Sequence, residues 1–226
     1  MLAGGLGTRL RERFADLPKP LVPVAGKPFL ARQIEWLAAH GLEDVVLCVG
    51  HGADQVRATL GDGAGSGVRL WYSREGEPLG TGGALKLAQD FVEGPALVVN
   101  GDTLPELDPR ALESARVRAG AVGALALFEV DEVASRGRVE CEAGGRITRF
   151  VEKDPDHRGS GWVSGGCYSF DPSLWSWLPE GPSSLERDVL PRLAAAGELL
   201  GIRVSGTFFD IGTPEGWERA ERRFAA

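Results

Sequence analysis

The chain has 226 residues, with 25 Lys+Arg against 32 Asp+Glu and a formal net charge of −7 at pH 7. That length is ample for one large domain, or a core with a small appended lobe, and the acidic balance speaks against nucleic acid or a membrane surface as partner. Cys48, Cys141 and Cys167 stand far apart and fit neither a zinc pattern nor a disulfide framework. No apolar run approaches the roughly 20 residues of a spanning helix and no signal peptide is visible, so a cytoplasmic protein is expected.

Leu2 and Ala3 read as the tail of a strand. A central strand needs about five residues, more than precede the loop that follows. Residues 28–40 predict an amphipathic helix: Pro28 suits its first turn, Phe29, Leu30, Ile34, Leu37 and Ala38 share a face, and Gly41 follows as a C′ residue. The apolar run 44–50 predicts a buried parallel strand, 53–61 a helix, 68–73 a strand, 82–91 a helix and 96–100 a strand. This alternation is the pattern of a doubly wound α/β sheet. The second half reads differently. Residues 121–130, 137–143, 145–153 and 162–170 predict strands with little helix between them, and a hairpin turn falls at 143–146. Ser183 and Glu186 form a candidate capping box for a helix over 185–197. Strand-like runs at 199–204 and 207–212 precede a last helix from about Pro214.

Gly4, Gly5 and Gly7 follow the first apolar residues, and such a loop can turn its amide groups toward an anion. Thr8, Arg9, Arg11, Arg13 and Lys19 come next. Over residues 1–36, six basic side chains (Arg9, Arg11, Arg13, Lys19, Lys27, Arg32) face three acidic ones (Glu12, Asp16, Glu35). A cationic, glycine-lined segment in an acidic chain suits a small polyanion. The dinucleotide fingerprint begins well at Gly5-Leu6-Gly7 but ends on Leu10, which disfavours a nicotinamide-dependent oxidoreductase, and no P-loop string occurs. On its glycines alone this is a turn beside solvated arginines.

Five further strings carry candidate chemistry. GEPLGTGGALKLA (76–88) puts glycines where a loop enters a helix, suited to a base edge, a phosphate or mere close packing. LVVNGDTLP (97–105) sets Asp102 at the carboxyl end of an apolar strand, where open α/β sheets bind ligands and a hard carboxylate can hold Mg²⁺. FVEKDP (150–155) places Glu152 beside Lys153. VSGGCYSF (163–170) and FFDIGTPEGW (208–217) complete the set. His40, His51 and His157 lack ligand spacing, and no nucleophile elbow appears.

GGLGTRL followed by LPKPLVPVAGKP resembles the N-terminal signature of the sugar-1-phosphate nucleotidyltransferases, the nucleoside-diphosphate-sugar pyrophosphorylases. LGTGGA resembles in particular the short heptose- and mannose-1-phosphate guanylyltransferase branch. That family carries several apolar residues ahead of the glycine loop, so either a start placed a few codons late or a chain cut short ahead of Met1 is expected here. The resemblance implies catalytic roles for Arg9, Lys19 and Asp102. It implies nucleotide contacts from Ala3, Gly4, Gly5, Gly7, Thr8, Gly80, Thr81, Gly82 and Gly101. Sugar-phosphate contacts fall to Glu152, Lys153, Ser164 and Gly165. Asp102 and Asp210 would share one Mg²⁺. Two departures stand out: Asp154 interrupts the family's Lys-Pro junction, and Ser164 replaces an Asn, which bears on the sugar accepted.

The expectation is therefore an α/β fold, Rossmann-like and doubly wound, with a mostly parallel mixed sheet and a β-rich sugar-binding extension, of the nucleotide-diphospho-sugar transferase type. A single nucleotidyltransferase domain would divide into a nucleotide-binding half (1–120) and a sugar-phosphate-binding half (121–226). Its partners would be a nucleoside triphosphate and a sugar 1-phosphate, with Mg²⁺ as cofactor, no nucleic acid and no membrane; a homo-oligomer is compatible with the sequence. GTP with a heptose or mannose 1-phosphate is the first choice. The alternatives are a uridylyltransferase, for instance for N-acetylmuramate 1-phosphate, and a catalytically idle sugar-nucleotide-binding regulator.

Overall fold

The computed structural model describes residues 1–5, 7, 10, 13–14, 17–134, 136–153 and 158–225. The expectations for Thr8, Arg9, Arg11, Glu12, Asp16, Asp154 and His157 lie outside the described residues.

In chain order the elements are β1 (Pro23–Val24), β2 (Lys27–Pro28), α1 (Phe29–Ala39), β3 (Asp44–Val49), α2 (Ala53–Leu60), β4 (Arg69–Arg74), α3 (Gly80–Leu87), β5 (Ala96–Val99) and β6 (Thr103–Pro105). Then come α4 (Arg110–Ala119), β7 (Gly123–Val130), β8 (Gly137–Cys141), β9 (Ile147–Glu152), β10 (Gly161–Phe170), α5 (Leu190–Ala195), β11 (Leu199–Arg203), β12 (Phe208–Asp210) and α6 (Pro214–Ala225). Among the described residues no helix is long and apolar enough to cross a membrane.

The chain forms two compact units. The first comprises Met1–Pro78, Asn100–Leu104 and Phe209–Ala226; the second comprises Leu79–Val99 and Pro105–Phe208.

In the first unit β3 and β4 pair in parallel from Asp44↔Arg69 to Val49↔Arg74. Leu2 makes parallel bridges to both Cys48 and Asn100. The expected strand is thus a single bridged residue, fixed by the Ala3 amide on Cys48 O at 2.9 Å and the Gly101 amide on Leu2 O at 2.9 Å. The buried side of α1 is Phe29, Leu30, Gln33, Ile34 and Leu37, a helical stripe with one polar member. The core gathers Leu10, Val22, Val24, Phe29, Leu104, Phe209, Ile211, Trp217 and Ala220 from all three stretches of chain. Trp217 buries its ring there while its indole N–H donates to Pro23 O at 2.8 Å.

The second unit is built on β10, which pairs antiparallel with β5, β7 and β8. β7 also pairs in parallel with β11, and β8 forms the expected hairpin with β9. Gly145, at φ +82°, makes that hairpin's turn, which Glu142 N–H closes on Arg146 O at 3.0 Å. The sheet is mixed and the fold is α/β, as expected. β7 is buried at six successive positions, Gly123 to Phe128, as befits a strand covered on both faces.

One expectation is corrected here. Ser184, not Ser183, caps the turn at 185: its hydroxyl accepts from Arg187 N–H at 3.2 Å, and Asp188 reaches back to the Ser184 N–H at 2.7 Å. The capping box is shifted by one residue because the acid that reaches the Ser184 N–H is Asp188, while Glu186 accepts from the hydroxyls of Ser184 and Thr81 at 3.1 and 2.5 Å. The helix also starts as a wide π turn over Leu185–Val189 before α5 begins.

Candidate functional site

In the first unit, the Asn100–Thr103 turn carries Asp102 out of the buried strand end. Its carboxylate forms an ion pair with Lys19, which sits in the short 3₁₀ turn Lys19–Leu21, and accepts from Thr103 Oγ1 at 3.1 Å. Burial pushes the Asp102 carboxyl up, but the Lys19 ammonium and the bonds from Lys19 and Thr103 outweigh it and hold the group below its ordinary range. Asp210, at the end of β12, accepts from Gly212 N–H at 2.8 Å. The two segments are joined by Ile211 N–H on Asp102 O at 2.9 Å. A Cβ on Gly212 would stand 2.8 Å from Asp210 Oδ1, 3.4 Å from Lys19 Nζ and 3.8 Å from Asp102 Oδ2. Two carboxylates and one ammonium therefore converge on a point that only glycine leaves open.

The glycine loop adjoins this point. Gly7 has φ +60°, and a Cβ there would come within 2.7 Å of Lys19 Cβ. A Cβ on Gly101 would meet Leu2 O at 2.7 Å, and one on Gly4 would meet Glu75 Oε1 at 2.6 Å. Ala3 is buried, whereas a Cβ on Gly5 would meet nothing. Lys19, Asp102 and Asp210 are thus brought together with Gly4, Gly7 and Gly101. Among the described residues no cluster of three or more His, Cys, Asp or Glu side chains is assembled.

In the second unit the glycines of the 80–83 step pack against Gly181 and Ser183. A Cβ on Gly80 would stand 2.5 Å from Ser183 O, one on Gly82 2.5 Å from Ser183 Oγ and one on Gly83 2.6 Å from Gly181 O. The Gly82 amide donates to Ser183 O at 2.9 Å. Close packing of 181–185 on α3 accounts for these three glycines. Thr81 Oγ1 donates to Glu186 at 2.5 Å and accepts from Leu185 N–H at 2.8 Å.

Glu152 ends β9, and Lys153 follows with φ +57°, a left-handed conformation unusual for lysine. Its amide bonds Arg136 O at 3.1 Å, and its ammonium lies 4.0 Å from Glu152 Oε1. Burial first, and the Glu186 carboxylate second, push the Glu152 carboxyl up against the opposing pull of Lys153 and Arg187. The same two influences raise the buried Tyr168 phenol. Ser164 Oγ bonds Tyr168 Oη at 3.2 Å and accepts from Gly166 N–H at 3.3 Å. These bonds lie at a register shift in β10 between Ser164 and Tyr168. A Cβ on Gly165 would stand 2.3 Å from Phe128 Cε2. The Glu186 carboxylate thus acts on both Glu152 and Tyr168.

Sequence reasoning missed Glu75, Glu186 and Gln33. Gln33 had left a signal, as the polar residue on the apolar face of α1.

A carboxylate pair beside a glycine loop, at the ends of strands in an α/β fold, is an arrangement open to a phosphate-bearing ligand. The nucleotidyl transferase family model matches residues 1–225, and the chain belongs to that family. It is 36% identical over 219 residues, 95% of its length, to the mannose-1-phosphate guanylyltransferase catalytic subunit beta of Drosophila pseudoobscura pseudoobscura, but covers 59% of that protein. The chain spans about three fifths of the length of the curated relatives it matches. HddC from Yersinia pseudotuberculosis superposes with a TM-score of 0.87 at 33% identity, covering 99% of this chain and 97% of that one. Its complex with GMP-PN gives a TM-score of 0.86 at 32% identity, over the same 99% and 97%. The nucleotide-diphospho-sugar transferase fold expected from the resemblance is the fold found.

Proposed function

We propose that the protein transfers a nucleotidyl group from GTP to a sugar 1-phosphate, releasing pyrophosphate, with a heptose or mannose 1-phosphate as acceptor. The carrying observation is the convergence of Lys19, Asp102 and Asp210 around Gly212. A phosphate oxygen of the sugar attacks the α-phosphorus, and the bond to the β-phosphate oxygen breaks with its electron pair leaving on pyrophosphate. That nucleophile is already anionic, so the chain need supply no strong base; it must hold anions close together. In this reading Lys19 neutralises nucleotide phosphates, Arg9 takes the leaving pyrophosphate, and Gly4, Gly5, Gly7 and Thr8 line the phosphates. Lys153 takes the acceptor phosphate and Glu152 the sugar hydroxyls.

Two hard carboxylates around an open point fit a divalent cation of the Mg²⁺ kind, with Asp102 and Asp210 as its protein ligands. Bound there, Mg²⁺ would supply charge neutralisation at the phosphates.

The guanylyltransferase name of the curated relative and the GMP-PN complex of HddC support the choice of GTP.

The test is pyrophosphate release with Mg²⁺ from each of four nucleoside triphosphates against mannose, heptose, glucose and N-acetylmuramate 1-phosphates. GTP with mannose or heptose phosphate is the expected pair. UTP with N-acetylmuramate phosphate would replace this reading, and silence in every combination from folded protein would leave an idle binder. Arg9→Ala is expected to cost about 10²–10³ in kcat while circular dichroism stays unchanged.

A further inference from the structure

Asp102 is aimed by a turn rather than by a regular element, so something must fix that turn. Its backbone is anchored at two points by main chain, Gly101 N–H on Leu2 O and Ile211 N–H on Asp102 O, both 2.9 Å. The carbonyls on either side are held by one side chain. Gln33, fully buried in α1, donates from Nε2 to Asn100 O at 2.8 Å and to Thr103 O at 2.7 Å. A primary amide has two hydrogens on that nitrogen, and both are spent here. Its Oε1 has no partner among the described residues. A buried amide that leaves its acceptor unpaired gives up stability, so its orientation is set by the two carbonyls it clamps.

We propose that Gln33 is the positioning residue of the Asp102 carboxylate, holding the turn that presents it beside Lys19 and Asp210, where a divalent cation would be held. The consequence for the cation rests on the nucleotidyl-transfer reading; the clamp itself does not. Gln33 touches no reacting atom. It adds a side-chain clamp to a four-residue turn that its own Thr103 N–H closes on Asn100 O at 3.2 Å, and a ligand held by a rigid arm binds without first having to be ordered.

The discriminating variant is Gln33→Met, which keeps length and apolar volume and removes both donors. Gln33→Leu serves as a second variant should Met fold poorly. Two readouts are needed beside the melting temperature. In metal-free protein, hydrogen exchange over 101–103 should quicken about tenfold or more while β3 and β4 remain as protected as before. In turnover, the Mg²⁺ concentration for half-maximal pyrophosphate release should rise about tenfold, with KM for the sugar phosphate within about twofold of the parent. A residue that merely filled the core would lower the melting temperature and leave both readouts in place, and that result overturns the proposal. So does unchanged exchange alone. A parent protein that turns over no substrate would sink the nucleotidyl-transfer reading, and the exchange data would then decide the clamp by themselves.

Discussion

Glu152 is partly buried within the field of Glu186, and both circumstances disfavour its ionised form. A carboxyl whose folded-state value lies above its unfolded value of 4.5 contributes its full share of stability below that value and loses it as pH rises through the folded value. Glu152→Gln is therefore expected to melt higher than the parent at pH 7–8, with the difference closing below about pH 4.5; melting curves across that range check it. If Glu152 serves sugar hydroxyls as proposed, the same variant loses turnover while gaining stability, the trade expected of a strained binding residue.

At the level of elements, the turn over 183–189 separates what spacing can reveal from what it cannot. Ser184→Ala should cost about 1 kcal/mol through loss of the cap. Ser183→Ala should be near neutral, because the buried Ser183 hydroxyl has no partner among the described residues and gives up nothing when removed. Denaturant midpoints of the two variants decide it. The sequence spacing placed the cap one residue early because Ser183 and Ser184 both precede an acid at a suitable distance; only the fold shows that Asp188 closes on the Ser184 amide while Glu186 takes the Ser184 and Thr81 hydroxyls. Helices α1, α2 and α6 were readable from the period of their apolar residues, and strands β3, β4, β7 and β10 as short apolar runs between turn signals. Gly165, by contrast, looked like part of a sugar-side string. Its contact with Phe128 makes Gly165→Ala an overpacking change costing about 1–3 kcal/mol, a requirement no local pattern announces. Lys19, Asp102 and Asp210 were legible because each sits in a string that the family repeats. Gln33, Glu75 and Glu186 were not, because each is a single polar residue whose partners come from a distant part of the chain.

At the level of the molecule, the first unit is assembled from three stretches of chain, and its core needs all of them. Leu104, Phe209, Ile211, Trp217 and Ala220 fill it from outside Met1–Pro78. A fragment of residues 1–78 is therefore expected to lack cooperative unfolding and dispersed amide resonances, although it contains β3, β4 and the whole glycine loop. This also has a consequence in time. A ribosome makes Lys19 early, Asp102 midway and Asp210 only with the stretch that carries Trp217. A nascent chain thus exposes the cationic loop for most of its synthesis without the second carboxylate beside it. On the proposed chemistry it can attract nucleotide but cannot spend it, and the first turnover waits for the translation of α6.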